Sequence, residues 1–239
     1  MRIGVIMLET RFPRPPGDIG NPETFGGKAL YDIVPGAAAE RVVRAGAPDP
    51  ALLAPFLAAR DRLVRAGARL VTTSCGFLIR FQEALAKDCA VPVIASSLLA
   101  LPALALRYRT VGVITIHGGR LTPDYLAGAG AAPDTPFEGT EAGSEITRKL
   151  LGDALDLDLA AAERDVVEAG QRLKARVPGL GAVLLECTNM PPYRDALARA
   201  LGVPVFDILT VLDEHAPGFV AWPKPAKSNG PRHRGLPAA

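Results

Sequence analysis

The sequence predicts an α/β fold with two pseudo-symmetric lobes, each a short parallel sheet flanked by helices, and an active site in the cleft between them. Short runs rich in Val, Ile and Leu alternate with helical patterns, which is typical of parallel sheets that are buried on both faces. The two halves of the 239-residue chain also resemble one another. With 49% hydrophobic residues, the chain can bury a core in each lobe.

The repeat appears in the spacing of three pairs of motifs. GARLVTTSCGF carries an apolar run to Cys75 and LGAVLLECTNM carries one to Cys187, which lies 112 positions later. VPVIASSLL begins at Val91 and VPVFDILTV begins at Val203, again 112 positions later. RIGVIML and TVGVITI align at an offset of 108. Strands common to all α/β proteins would explain one such match, but they do not explain two equal offsets.

The first half begins with a strand at RIGVIML. Residues 11–50 follow, and because they are dense in Pro and Gly we expect a long flap-like loop; loops of more than about 15 residues in compact domains are usually functional or disordered. A helix is predicted over 54–68, where apolar residues recur at helical spacing and Gly67 suits the stop. A short helix, FQEALAKD, is predicted at 81–88.

The second half repeats this order with helices predicted over 157–177 and 192–201. Residues 223–239 contain almost nothing to bury and are expected to be a disordered tail, after a last helix that Trp222 closes against the first lobe. The predicted domains are a first lobe of 1–100 plus 208–222 and a second lobe of 101–207.

Composition excludes several classes of function. The formal net charge is +2 and no dense basic block precedes the tail, so neither a nucleic-acid nor a membrane partner is indicated. The apolar stretch at the N-terminus is too short for a signal peptide or a membrane span, which favours a cytoplasmic location. The three cysteines are too few and too widely spaced for a disulfide framework or a zinc pattern. We therefore expect no metal and no cofactor.

Two cysteines occupy positions where chemistry is expected. Cys75 and Cys187 each follow a predicted strand and precede a helix, where free N–H groups favour a thiolate and can hold a carboxylate. If the lobes face each other, one sulfur can remove a proton from the carbon next to a carboxylate while the other returns one from the far side. That reaction is a racemisation or epimerisation. Cys89 has no counterpart in the repeat, and we interpret it as a small buried hydrophobe.

These motifs resemble a known family. TTSCGF and LECTNMP, on a twofold-repeated α/β chain of this length, resemble the aspartate/glutamate racemase superfamily, which includes glutamate, aspartate and hydantoin racemases, maleate isomerase and arylmalonate decarboxylase. The resemblance covers residues 1 to about 220 and implies that Cys75 and Cys187 are an acid–base pair acting without cofactor or metal. It also implies that Thr188 and Asn189 hold the substrate carboxylate and that Thr115 lines the cleft.

The sequence departs from the family pattern after the first cysteine. Amino-acid racemases of the family usually have Asn-Thr there, whereas this chain has Gly76 and Phe77. The departure indicates a less polar or cyclic substrate in place of glutamate or aspartate. Glu9, at the end of the first strand, is expected either to face the cleft or to be an exposed strand end. The candidate substrate-binding residues are Ser74, Gly76, Phe77, Thr115, Thr188, Asn189 and Glu9.

Other polar residues receive structural interpretations. Asp18, Asn21 and Thr24 lie in GDIGNPETF, which is ordinary turn chemistry. Tyr125 is expected to pack in the core.

Three functions remain open at this level. The first is a cofactor-independent racemase or epimerase acting on an amino acid or related carboxylate, which needs both thiols. The second is a maleate-isomerase-like or arylmalonate-decarboxylase-like enzyme on the same scaffold, which needs one. The third is a non-enzymatic protein that binds a small ligand. Each takes a small-molecule carboxylate as partner, and the sequence is also compatible with a homo-oligomer.

Overall fold

The computed structural model describes residues 2–46 and 49–221. Trp222 and the tail predicted at 223–239 lie outside these residues. The described chain forms two four-stranded sheets in which all neighbouring strands are parallel. The α/β, two-sheet prediction is therefore confirmed.

The strands and helices of the described residues follow in chain order. The strands are β1 (Arg2–Leu8), β2 (Ala29–Val34), β3 (Ala68–Thr73), β4 (Val93–Ile94), β5 (Val111–Thr115), β6 (Phe137–Gly139), β7 (Ala182–Leu185) and β8 (Val205–Phe206). The α-helices are α1 (Ala39–Val42), α2 (Leu53–Arg65), α3 (Gln82–Ala86), α4 (Leu101–Ala105), α5 (Pro123–Gly128), α6 (Ile146–Leu151), α7 (Leu159–Arg176), α8 (Arg194–Leu201) and α9 (Ile208–His215). No helix in the described ranges combines the length and apolar character needed to cross a bilayer.

The two sheets have the same topology. Their strand orders are β2-β1-β3-β4 and β6-β5-β7-β8, so each half places its first strand between its second and third. The fourth strands begin at Val93 and Val205, which keeps the offset of 112 found in the sequence. In both halves the central strands are almost wholly buried, as their continuous apolar runs predict.

One glycine in each half lets a helix approach its sheet closely. A Cβ atom at Gly4 would lie 3.1 Å from the Cβ of Leu63 in α2. A Cβ atom at Gly112 would lie 2.6 Å from Cδ2 of Leu173 in α7. Because both contacts are tighter than ordinary packing allows, only glycine fits without movement of the helix.

Residues 11–50 are not one long loop, and that prediction is wrong in part. Residues 29–34 form β2, which pairs with β1 in parallel register and is the edge of the first sheet. The strand is only partly buried, so it lacks the continuous apolar run that identifies the central strands. β6, the matching edge strand of the second sheet, has three residues and was also missed. Elsewhere in 11–46, Phe12, Arg14, Ala39 and Val43 lie near the carboxyl ends of the strands, whereas Lys28 lies at the amino end of β1, where its carbonyl accepts the N–H of Ile3.

The predicted helices are present with small shifts in their ends. α2 stops at Arg65 because Gly67, with a φ of +94°, turns the chain directly into β3. α7 begins after Asp158, whose carboxylate accepts the backbone N–H groups of Ala160 and Ala161. α9 packs against residues 97–100 of the first half of the chain.

Candidate active site

A cavity lies where the carboxyl ends of the central strands of the two sheets face each other. This is the edge at which open parallel sheets bind their ligands. The first half contributes the turn after β3, and the second half contributes the turn after β7. Together with Phe77, these two turns and their flanking residues contribute Ser74, Cys75, Gly76, Glu186, Cys187 and Asn189 to its wall.

Cys75 stands at the start of a 3-10 helix over residues 76–81. Its carbonyl accepts the hydroxyl of Thr73 at 3.0 Å and the N–H of Leu78 at 3.1 Å, which fixes the turn. The backbone N–H groups of Phe77 and Leu78 are directed at the sulfur. Only 8% of the residue is exposed.

Cys187 occupies the equivalent place after β7 and lines the same cavity. Its thiol donates to Oδ1 of Asn189 at 3.5 Å. The N–H of Met190 donates to its carbonyl at 3.1 Å. The repeat therefore brings both sulfurs from different sheets into one space.

The backbone N–H groups at the two turns lower the thiol pKa values, as expected, but larger effects act in the other direction. Burial raises the pKa of the Cys75 thiol well above its ordinary value, and the nearby carboxyl of Glu186 raises it further. The same two causes raise the pKa of Cys187. Without a ligand, both groups rest as thiols.

Glu186 is the main feature of the site that sequence reasoning missed. Its side chain is fully buried between β7 and Cys187, and its Oε2 accepts the hydroxyl of Thr115 at 2.8 Å. Its Oε1 has no hydrogen-bond partner among the described residues. Burial raises the pKa of this carboxyl to about 7. A single acid at the end of the apolar run AVLL, next to a cysteine, was the signal available in the sequence.

Gly76 is the residue that makes room for this carboxyl. A Cβ atom at position 76 would lie 2.2 Å from Oε1 of Glu186 and 2.3 Å from its carbonyl oxygen. Gly76, the first residue of the Gly-Phe pair that departs from the family pattern, therefore leaves the space that the carboxyl of Glu186 occupies. Phe77 packs edge-on against the ring of Tyr125, with centroids 4.9 Å apart.

The other predicted binding residues lie in different places. Ser74 lines the cavity, and its hydroxyl accepts the N–H of Leu8 at 2.8 Å. Thr115 lies beneath the cavity, where it binds Glu186. Thr188 is fully buried with an unpartnered hydroxyl. Glu9 is exposed and accepts the N–H of Gly36 at 2.7 Å, which agrees with the exposed strand end.

Asp18 has more than the turn role assigned to it. It is 1% exposed, and its Oδ1 accepts the N–H of Gly20, as an ordinary turn residue would. The same Oδ1 pairs with Nη1 of Arg14 at 2.8 Å, and its Oδ2 accepts Nδ2 of Asn189 at 2.7 Å. The carboxylate therefore joins the segment after β1 to the turn that carries Cys187.

The wall opposite the strand ends is apolar and comes from both halves. The first half contributes Ala39 and Val43 to this wall, and the second half contributes Leu150 and Leu151. The hydroxyl of Tyr125 donates to the carbonyl of Arg44, in addition to the core packing expected of that ring.

Further contacts hold the same wall together. Arg120 donates to the carbonyl of Val43 at 2.9 Å. Asp153 pairs with Nε of Arg11 at 2.9 Å and accepts the N–H of Phe12. Across 2–46 and 49–221, no three His, Cys, Asp or Glu side chains are grouped so as to hold a metal ion.

Comparison with known proteins agrees with the resemblance seen in the motifs. The chain is 29% identical over 230 residues to a dimethylsulfoniopropionate lyase of Durusdinium sp. clade D, covering 93% of this chain and 76% of that one. It is 31% identical over 221 residues to dimethylsulfoniopropionate lyase 3 of Emiliania huxleyi, covering 87% of this chain but only 57% of that one. The crystal structure of allantoin racemase from Pseudomonas fluorescens superimposes with a TM-score of 0.59 at 21% identity, over 96% of this chain and 100% of that one.

The family itself is identified by a profile that matches most of the sequence. The profile described as Asp/Glu/Hydantoin racemase matches residues 30–216, which include both cysteine turns and both sheets except β1. The chain therefore belongs to the Asp/Glu/hydantoin racemase family of enzymes.

Proposed function

We propose that this enzyme removes a proton from the carbon next to a carboxylate, with the thiolate of Cys75 or Cys187 as base, and expels a leaving group from the adjacent carbon. The observation that carries the proposal is the meeting of two buried thiols and a buried carboxyl in one cavity. Relatives named dimethylsulfoniopropionate lyases, aligned over 87% and 93% of this chain, support elimination as the outcome. The racemase likeness, at 21% identity, supports the fold alone.

The reaction balances without a cofactor. In dimethylsulfoniopropionate, a thiolate takes a proton from C2, so the C–H bond breaks and an S–H bond forms. The released electron pair becomes the C2–C3 double bond, and the C3–S bond breaks with its pair on sulfur. The products are acrylate and dimethyl sulfide, and the thiol returns its proton to solvent.

The cavity offers groups for both ends of such a substrate. Arg14 lines it close enough to lower the pKa of Cys75 by its charge, and the N–H group of Phe77 lies at the same turn. These positive groups suit a carboxylate. The apolar wall, which includes Leu8 and Phe12, suits S-methyl groups.

A racemase or epimerase is the second candidate. It is favoured by the presence of two cysteines, since elimination needs one base and inversion needs an acid and a base on opposite sides. The second cysteine counts against the decarboxylase-like alternative, which uses a single thiol, but not against the isomerase-like one.

Product analysis in D₂O distinguishes these functions. We expect dimethyl sulfide and acrylate from dimethylsulfoniopropionate. Activity should be lost in whichever of Cys75→Ser and Cys187→Ser removes the base, and retained in Cys89→Ser, because Cys89 lies outside the cavity lining. A racemase would instead put deuterium on the α-carbon of an amino acid or on C5 of a hydantoin and form no alkene. Absence of dimethyl sulfide together with such exchange would overturn the lyase proposal.

A further inference from the structure

We propose that Glu186 selects a cationic substrate, its buried carboxylate neutralising an onium group on the carbon next to the one that loses the proton. The inference rests on the proposed function, because it concerns the same cavity and reaction. It assigns the selection of a positively charged substrate to Glu186, whereas the thiols carry out the proton transfer.

The geometry leaves one carboxylate oxygen without a partner inside the cavity wall. Oε2 of Glu186 is fixed by the hydroxyl of Thr115, so the carboxyl group cannot rotate freely. Oε1 is buried, has no hydrogen-bond partner among the described residues, and lies against the α-carbon of Gly76. Since Cys75 precedes Gly76 and Cys187 follows Glu186, this oxygen is flanked by both sulfur-bearing turns.

No protein cation of the described chain pairs with this carboxyl. The arginine that lines the cavity, Arg14, is paired with Asp18 and donates to Thr10. A buried carboxylate without a counter-ion is costly, and such groups are normally paired or protonated. A ligand cation would supply the missing charge. A sulfonium or quaternary ammonium group can do so without donating a hydrogen bond, which fits a site walled largely by apolar side chains.

A cation at this position would also activate the base. The charge of Glu186 is a cause of the raised pKa of both Cys75 and Cys187. An onium group beside Oε1 would cancel that charge and lower the pKa of both thiols. The cationic substrate would thereby promote formation of the thiolate that deprotonates it, whereas a neutral substrate of the same shape would not.

Two ligands of equal shape test the inference by binding alone. They are 3-(trimethylammonio)propionate and 4,4-dimethylpentanoate, which differ by a positive nitrogen in place of a carbon. Titration calorimetry at pH 8 is expected to show the cation binding about tenfold tighter or more to the wild type. In Glu186→Gln the two affinities should become equal. The control Glu83→Gln, on the exposed side of α3, should keep the preference.

The wild-type protein provides a second readout that does not depend on the folding of a variant. Glu186 is neutral below its pKa of about 7, so the preference for the cation should shrink from pH 8 to pH 6. The other titratable groups near it are Cys75, Cys187 and Tyr125, whose raised pKa values keep them neutral over this range. The ion pair of Arg14 and Asp18 lies beyond them.

The outcomes separate this inference from the proposed function. Equal affinities in the wild type, failure of both ligands to bind, a preference that survives in Glu186→Gln, or a preference that is as large at pH 6 as at pH 8 would each overturn the role of Glu186. Release of dimethyl sulfide together with equal affinities would overturn the inference and leave the lyase proposal standing. A clear preference without any release would support the inference and overturn the lyase.

Discussion

Asn189 holds the thiol of Cys187 in a fixed direction. Its Oδ1 accepts the thiol proton at 3.5 Å, and its Nδ2 donates to Asp18 at 2.7 Å, so the amide cannot turn over without breaking both contacts. An amide oxygen accepts a proton and offers none, so this contact stabilises the thiol relative to the thiolate. The side-chain contact of Asn189 therefore acts in the same direction as burial and Glu186, which raise the pKa of Cys187, and opposes the backbone N–H of Asn189, which lowers it.

Removing that acceptor should make Cys187 more reactive. In Asn189→Ala we expect severalfold faster alkylation of Cys187 at pH 8, since the thiol loses its acceptor, with little change at Cys75. Peptide mass spectrometry after timed iodoacetamide treatment measures both rates. An unchanged rate at Cys187 would contradict the proposed role of Asn189.

The order of labelling in the wild type should be the reverse of what the helix-start argument predicts. Cys89 is partly exposed, whereas Cys75 and Cys187 are buried and have raised pKa values. Iodoacetamide at pH 7.5 is therefore expected to modify Cys89 first. The rates at the two buried thiols should rise about tenfold per pH unit, because the thiolate fraction does so below the pKa. Faster labelling of the buried pair at neutral pH would mean that their thiolates are stabilised after all.

Gly76→Ala should disrupt the site. The added methyl group would lie 2.2 Å from Oε1 and 2.3 Å from the carbonyl oxygen of Glu186, and the carbonyl, which is backbone, cannot move aside easily. We expect a loss of about 2–3 kcal/mol in the free energy of unfolding and loss of activity. Gly128→Ala is the matched control, because a Cβ atom there meets nothing within 4 Å and the position is helical. Urea unfolding of both variants measures the difference.

Glu186 should make the stability of the wild type depend on pH. A carboxyl group whose pKa is higher in the folded than in the unfolded state binds more protons when folded, so stability falls as pH rises between the two values. For Glu186 that interval runs from the ordinary 4.5 to about 7. Glu186→Gln has no such titrating group and should not lose this stability. Between pH 4 and pH 8 its free energy of unfolding should therefore rise relative to that of the wild type by on the order of 3 kcal/mol. Urea unfolding at the two pH values measures the free energy of unfolding of both proteins, with Glu83→Gln as control. An equal change with pH in the wild type and in Glu186→Gln would show that ionisation of Glu186 costs no stability.

The central strands could be predicted from sequence because they are buried on both faces and read as continuous apolar runs. The edge strands are not buried on both faces, so they lack this pattern and were not predicted. β2 has one exposed side and follows a segment rich in Pro and Gly, and β6 pairs over three residues, too few for any periodicity. Comparison of the two halves could have predicted β6 only after β2 had been identified in the first half.

The site was predictable as far as the turns that the repeat aligns. Cys75 and Cys187 were found because each stands at the same point of a half. Their protonation could not be inferred, since it depends on burial and on Glu186, whose charge acts across space on both sulfurs. The contact of Asp18 with Asn189 joins positions 171 apart, and a local turn motif gives no sign of it.

The equivalence of the two cysteine turns has a consequence for handedness. At the offset of 112, Gly76 and Phe77 stand where the other half has Thr188 and Asn189. If the two turns were identical, a substrate could bind in the cleft in either of two opposite orientations with the same free energy. Divergence has made one turn apolar and the other polar, so we expect the proposed substrate, whose two ends differ, to bind in a single direction.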